Sequence, residues 1–199
     1  MVVFAYGSLM YEPELPEAVL DRRPARLVGW HRAFRIRSLT RGCPASHAPD
    51  LPAVAGFEEG GERHSLVLGT ARGGHIDGLA LIYPDHVQAE LTRHLHRREG
   101  PGYQPQPITV ETAKHTLPAT TFVTNPESDR VVDLALPDQA QILAAATPVR
   151  DVDGRARGAA YLEGVLRCLD EMEVWDPRME ALGELVRRTV APSQGAGYS

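Results

Sequence analysis

The residues with the clearest chemical potential lie far apart in the chain. Tyr6-Gly7-Ser8-Leu9 follows the short apolar run Val2-Val3-Phe4. Such a run of β-branched and aromatic residues reads as a buried strand. A strand that empties into Gly-Ser leaves backbone N–H groups paired by neither sheet nor helix. Several N–H dipoles aimed at one spot hold a carboxylate or an oxyanion. An ordinary β-turn has the same composition, so the motif gains meaning only if a distant residue supplies chemistry.

Glu99 is the candidate for that residue. Pro84-Asp85 predicts a helix start, with Asp85 as N-cap and Gln88 in capping-box relation to it. Val87, Leu91 and Leu95 recur at i, i+4 and i+8 and make one apolar stripe. At about 100° per residue, Glu99 lies only about 40° further round than Leu95. A carboxylate therefore ends the inward face, in the last turn, where the helix dipole disfavours negative charge. Gly100-Pro101 then stop the helix. An acid placed against burial and dipole is a local inconsistency, and such inconsistencies concentrate at functional sites. A structural ion pair with Arg97, Arg98 or another arginine accounts for the same pattern.

Other chemistry finds little support. His94 and His96 are two apart on a helix and point about 200° from each other, badly placed to share an ion. His47, with Cys43 before it and Asp50 after it, is the nearest approach to a ligand cluster, but it matches no zinc spacing. His31, His64, His75, His86 and His115 stand singly. No metal or cofactor is called for. Gly73-Gly74 lacks both the Lys-Ser/Thr of a phosphate loop and a Rossmann glycine triplet. Ser8 is outside any G-x-S-x-G elbow. By its interior helical position, Tyr161 reads as core.

The elements that must position these residues follow in order. Pro13 to Leu20 looks like the start of a helical segment. Ala25 to Ser38 carries Trp30, Phe34 and Ile36 in period 2, with Arg35 and Arg37 opposite and Arg32 interrupting the apolar side. Gly42 to Arg63 has no periodicity and reads as a long loop. Leu66 to Gly69 and Ile76 to Tyr83 are expected as two strands, joined by a hairpin turn at Gly73-Gly74. Ile108 to Glu111 and Thr120 to Thr124 are two more. Helices are expected over Asp138 to Ala146, Gly158 to Met172, and onward from Asp176-Pro177, where an N-cap precedes Pro at the first helical position. Met179, Leu182, Leu185 and Val186 form the inner face of that last helix, and Ala191 to Ser199 is a small-residue tail. About six strands with helices clustered late predict a single α+β domain with a mixed or barrel-like sheet.

Composition limits the function. A 199-residue chain with 43% hydrophobic and 24% charged residues is that of an ordinary soluble protein. The net charge of −5 offers no basic field for nucleic acid or an anionic membrane. Lys114 is the only lysine. No apolar run approaches the roughly 18 residues of a membrane helix, and the N-terminus lacks the features of a signal peptide. Cys43 and Cys168 are isolated, so a reduced, cytoplasmic protein is expected.

Taken together, Tyr6-Gly7-Ser8-Leu9 and Arg98-Glu99 followed by Gly-Tyr (Gly102-Tyr103) resemble the ChaC-like branch of the γ-glutamylcyclotransferases. Gly29 to Phe34 with Arg37-Ser38 is similar to that family's second strand, and Arg41-Gly42-Cys43-Pro44 to its Arg-Gly-x-Pro turn. Leu66 to Gly69 and Gly78-Leu79-Ala80 resemble its central strands, and Tyr161-Leu162 with Asp176-Pro177 its C-terminal helices. The likeness is colinear over about residues 2 to 190. Residues 45–64 look like an insertion. Tyr11 replaces a common Trp, and Ala159-Ala160 precede Tyr161 where polar residues are usual. The resemblance implies a γ-glutamylcyclotransferase-like fold, a single domain over 1–190 with a flexible tail at 191–199, and a small-molecule substrate, glutathione in this branch. It also implies intramolecular closure to 5-oxoproline with release of Cys-Gly. Glu99 would then be the general acid and base, its pKa raised by burial on the helix face. Tyr6, Gly7, Ser8 and Leu9 would hold the γ-glutamyl group, and Arg41, Tyr103 and Tyr161 are further site candidates. Another γ-glutamyl peptide or amine as substrate, and a non-catalytic binding module of this fold, are the alternatives.

Overall fold

The N-terminal strand β1 (Val2–Ala5) is the hub of the sheet, because it has neighbours on both sides. The computed structural model describes residues 1–47, 54–146 and 157–190. On one side β1 runs antiparallel to β4 (Glu62–Ile82), from Val2 opposite Ile82 to Ala5 opposite Leu79. On the other it runs parallel to β6 (Thr116–Thr124), with Val3 opposite Thr120. The β6 strand forms a hairpin with β5 (Tyr103–Glu111), in register from Tyr103 opposite Thr124 to Glu111 opposite Thr116. The β5 strand pairs antiparallel with β2 (Asp21–Pro44) at Arg26 and Glu111, and β2 neighbours β4. The circuit returns to its start, so the strands close into a barrel of mixed sense. A two-residue strand, β3 (Glu58–Glu59), pairs with β4 outside it.

The chain divides into two compact units. The first comprises 1–36, 68–132 and 167–174. Its core is made by Val3, Phe4, Phe34, Ile36, Ile76, Leu81 and Val110 from the strands, with Leu91 and Leu95 from helix α1 (Gln88–Glu99). Burying side chains of this size contributes about 1.5–3 kcal/mol each. The second unit comprises 37–67, 133–166 and 175–199. There helix α2 (Leu136–Ala145) packs on α4 (Pro177–Val190), and α3 (Gly158–Glu171) contributes its first part. Asp176 caps α4 as expected, its Oδ1 accepting from the Arg178 and Met179 N–H groups at 3.2 Å each. Met179, Leu182 and Val186 are buried, and Leu185 is half-buried. The α+β, barrel-like architecture is thus the one the pattern predicts. Among the described residues, no helix is long and apolar enough to cross a membrane.

Four local expectations are corrected. Gly73-Gly74 makes no hairpin, because both glycines lie inside the continuous strand β4. Their φ values of 96° and 70° kink the strand where β2 has its own left-handed glycine, Gly29, at 88°. His31 Nδ1 lies 3.2 Å from the Gly73 carbonyl, so β2 keeps β4 company through the kink and no reversal occurs. Asp85 is not an N-cap. It lies in a 3₁₀ turn, Asp85–Val87, leading into α1, and its Oδ1 accepts from the Met1 amino group at 3.1 Å. The helical segment expected from Pro13 shrinks to a 3₁₀ turn at Pro16–Ala18, entered through a left-handed Leu15. The long loop is shorter than its composition suggests: β2 continues to Pro44, and β4 begins at Glu62. Within the expected insertion at 45–64, residues 48–53 lie outside the described residues, as does the tail at 191–199.

Candidate active site

The turn after β1 is built in layers. The Tyr6 side chain is buried, and its hydroxyl donates to the Phe122 carbonyl on β6 at 2.7 Å. Arg32, 3% exposed on β2, donates from Nε to the Tyr6 carbonyl at 2.7 Å and from Nη2 to the Asp77 carbonyl. The arginine that interrupts the apolar face of β2 is therefore an internal strut. Beyond Tyr6, Ser8–Met10 forms a 3₁₀ turn. The Met10 N–H donates to Gly7 O at 2.9 Å, while Tyr11 and Glu12 donate to Ser8 O at 3.2 and 2.7 Å. These closing bonds begin at the Met10 amide, so the amides of Gly7, Ser8 and Leu9 precede the first donor they use. Leu9 and Met10 are buried, leaving Gly7 and Ser8 half-exposed.

The end of α1 is bonded to this turn by Arg98. Its Nη2 donates to Ser8 Oγ at 2.9 Å, and its Nη1 donates to the Glu12 carbonyl at 2.8 Å and to Glu14 Oε1 at 2.9 Å. Glu12 Oε2 is 3.6 Å from Nη2. Burial by itself would lower the Arg98 pKa. The hydrogen bond to Glu14 and the charges of Glu99, Glu14 and Glu12 outweigh burial and hold it above the ordinary value, so the guanidinium stays charged. Glu99 is the next residue and the last of α1. Gly100 ends the helix there with φ 60° and ψ −161°, a region only glycine enters readily. Both Arg98 and Glu99 are half-buried, and the Arg98 side chain is 8% exposed. The apolar stripe expected to bury Glu99 runs closer to Arg98, which is i+7 from Leu91 and i+3 from Leu95.

Glu14 is supported from a third side. Tyr83 donates its hydroxyl to the Glu14 carbonyl at 2.8 Å. Burial, offset by Arg22 and aided by Glu14, pushes the Tyr83 phenol up to about 12. The folded state thus holds this proton more tightly than the unfolded chain does. Stability from this group is complete below the unfolded value near 10 and is lost as pH rises toward 12. Urea unfolding midpoints should fall across that window, and Tyr83→Phe should flatten the fall.

Of the sequence candidates, Ser8 is bonded to Arg98, whose chain neighbour is Glu99, and Tyr6, Gly7 and Leu9 adjoin Ser8 in the same stretch after β1. Tyr103 opens β5 in the same unit, its hydroxyl committed to the Leu68 carbonyl at 2.5 Å. Arg41 and Tyr161 belong to the second unit, both buried, with the guanidinium carbon 5.6 Å from the Tyr161 ring centre. Beside them Arg157 Nη1 donates to the Gly42 carbonyl at 2.6 Å. Burial pushes the Cys43 and Cys168 thiols up, away from thiolate chemistry. Burial, with Arg37 nearby, pushes His64 down. Asp50, the third member of the loose His47 group, lies outside the described residues; among those described, no group of His, Cys, Asp and Glu is placed to hold a metal ion.

The ChaC-like protein family matches residues 1–189. The chain belongs to the ChaC-like family. Over 97 residues this ChaC-like chain is 32% identical to the glutathione-specific gamma-glutamylcyclotransferase of Escherichia coli (strain K12). That match spans 49% of this chain and about a third, 34%, of the relative's length. A yeast crystal structure described as a gamma-glutamyl cyclotransferase specific to glutathione superimposes with a TM-score of 0.74 at 16% identity, covering 96% of this chain and 97% of that one. A second yeast structure of the same description gives 0.72 at 17% identity, over 96% and 99%. At such identities the likeness shows a shared fold, and the ChaC-like barrel with its helices is that fold.

Proposed function

We propose that this ChaC-like chain is a γ-glutamylcyclotransferase acting on glutathione. The observation that carries the reading is the bond from Arg98 to Ser8, which brings the helix end bearing Glu99 to the Gly7-Ser8 turn. Glu99 takes a proton from the substrate's α-ammonium. The freed amine attacks the γ-carbonyl carbon and forms the C–N bond of 5-oxoproline. As the C–N bond to the Cys-Gly moiety breaks, its nitrogen receives a proton from the same carboxyl group, and the new ring nitrogen gives up its second proton to the regenerated carboxylate, which passes it to the departing amine. The amides of Gly7, Ser8 and Leu9 hold the γ-glutamyl group by its α-carboxylate or its developing oxyanion. Folding the substrate on itself supplies the proximity.

The E. coli relative supports glutathione as substrate. Because the match covers only 49% of this chain, another γ-glutamyl peptide or amine is the second reading. The test is release of 5-oxoproline from glutathione by the purified protein, against a panel of other γ-glutamyl compounds. Release from glutathione fastest of all supports the assignment. Release only from another member moves the specificity, and release from none overturns the reaction.

A further inference from the structure

Arg98 spends its fork on one short segment. One terminal nitrogen takes Ser8 Oγ, at the start of the turn, and the other takes the Glu12 carbonyl and the Glu14 carboxylate, at its exit. Glu12 and Glu14 already meet the charge requirement of a buried guanidinium. The bond to the Ser8 hydroxyl is therefore not needed to neutralise it, and its consequence is geometric. It fixes Ser8 relative to the last turn of α1, one residue before Glu99. We propose that Arg98 is a positioning residue that holds the Gly7-Ser8 turn in register with Glu99. Its link to catalysis rests on the cyclotransferase reading above; its link to the turn does not.

Lysine separates charge from geometry. A single ammonium keeps the pairing with Glu14 but cannot reach Ser8 and the Glu12 carbonyl through two rigidly spaced nitrogens. Arg98→Lys should therefore fold with a melting temperature near that of the wild type. Hydrogen exchange at the Met10, Tyr11 and Glu12 amides, which close the turn, should rise about tenfold as one charge-assisted bond is lost. With glutathione, kcat should fall on the order of 100-fold, the scale of a small misplacement of reacting groups. Ser8→Ala should reproduce the exchange change, and Ser8→Ala with Arg98→Lys should be no worse in kcat than the poorer single variant. If Arg98→Lys fails to fold, Ser8→Ala alone reads the link: faster exchange supports it, and unchanged exchange overturns it. Unchanged exchange in Arg98→Lys, or losses in kcat that multiply in the double variant, overturns the proposal. If the wild type releases 5-oxoproline from no γ-glutamyl compound, the cyclotransferase reading fails, and the exchange result still decides what Arg98 does to the turn.

Discussion

Glu99→Gln should leave a folded protein that releases 5-oxoproline at least 10²–10⁴ times more slowly, the range that a positioned general acid and base contributes. Glutamine keeps the shape of glutamate and its capacity to hydrogen-bond, but it cannot carry a proton between two nitrogens. The electrostatics argue that folding survives. Arg98, whose charge Glu99 helps sustain, retains Glu14 at 2.9 Å and Glu12 at 3.6 Å when Glu99 is neutral. Losing one half-exposed carboxylate then costs about 1 kcal/mol or less. Thermal unfolding and turnover measured on the same preparation check this. A rate that falls only as far as the melting temperature does would mean that Glu99 is a structural partner, and the proton transfer would need another group.

Strand composition and helix periodicity made most of the elements legible, because the features that decide them are local. Barrel closure is not local. Its decisive pairing, β1 against β4, joins residues about 80 apart in sequence and depends on β4 continuing past Gly73-Gly74 without reversing. A Gly-Gly pair licenses left-handed backbone without saying whether the chain reverses or kinks, and the adjacent β2 decides it. The turn and Glu99 were legible because each breaks a pattern that surrounds it. The bond from Arg98 to the turn was not, because Arg98 sits in His96-Arg97-Arg98, a basic run that the helix dipole already explains. The missed signal was rotational: Arg98 shares the buried face of Leu91 and Leu95, where a solvated arginine has no place. Arg32 broke a strand face in the same way. Both polar residues on apolar faces turned out to brace the turn, one at the Tyr6 carbonyl and the other at the Ser8 hydroxyl.

The second large effect concerns the substrate. A γ-glutamyl compound whose α-amine is acetylated should give no 5-oxoproline, whereas one altered only at the thiol should still turn over. The argument follows from the proposed bond changes. The nucleophile belongs to the substrate, and an amide nitrogen in its place has its lone pair delocalised into the acetyl carbonyl and an N–H far too weakly acidic for a carboxylate to remove. Water-based hydrolysis of the same γ-amide would make no such demand, since its nucleophile comes from solvent. Incubating the protein with N-acetylated and S-methylated glutathione and following both 5-oxoproline and released amine separates the two mechanisms. Amine release from the acetylated compound would assign hydrolysis to this site and overturn the cyclisation. Silence from it, with turnover of the S-methylated compound, leaves the cyclisation as the reaction.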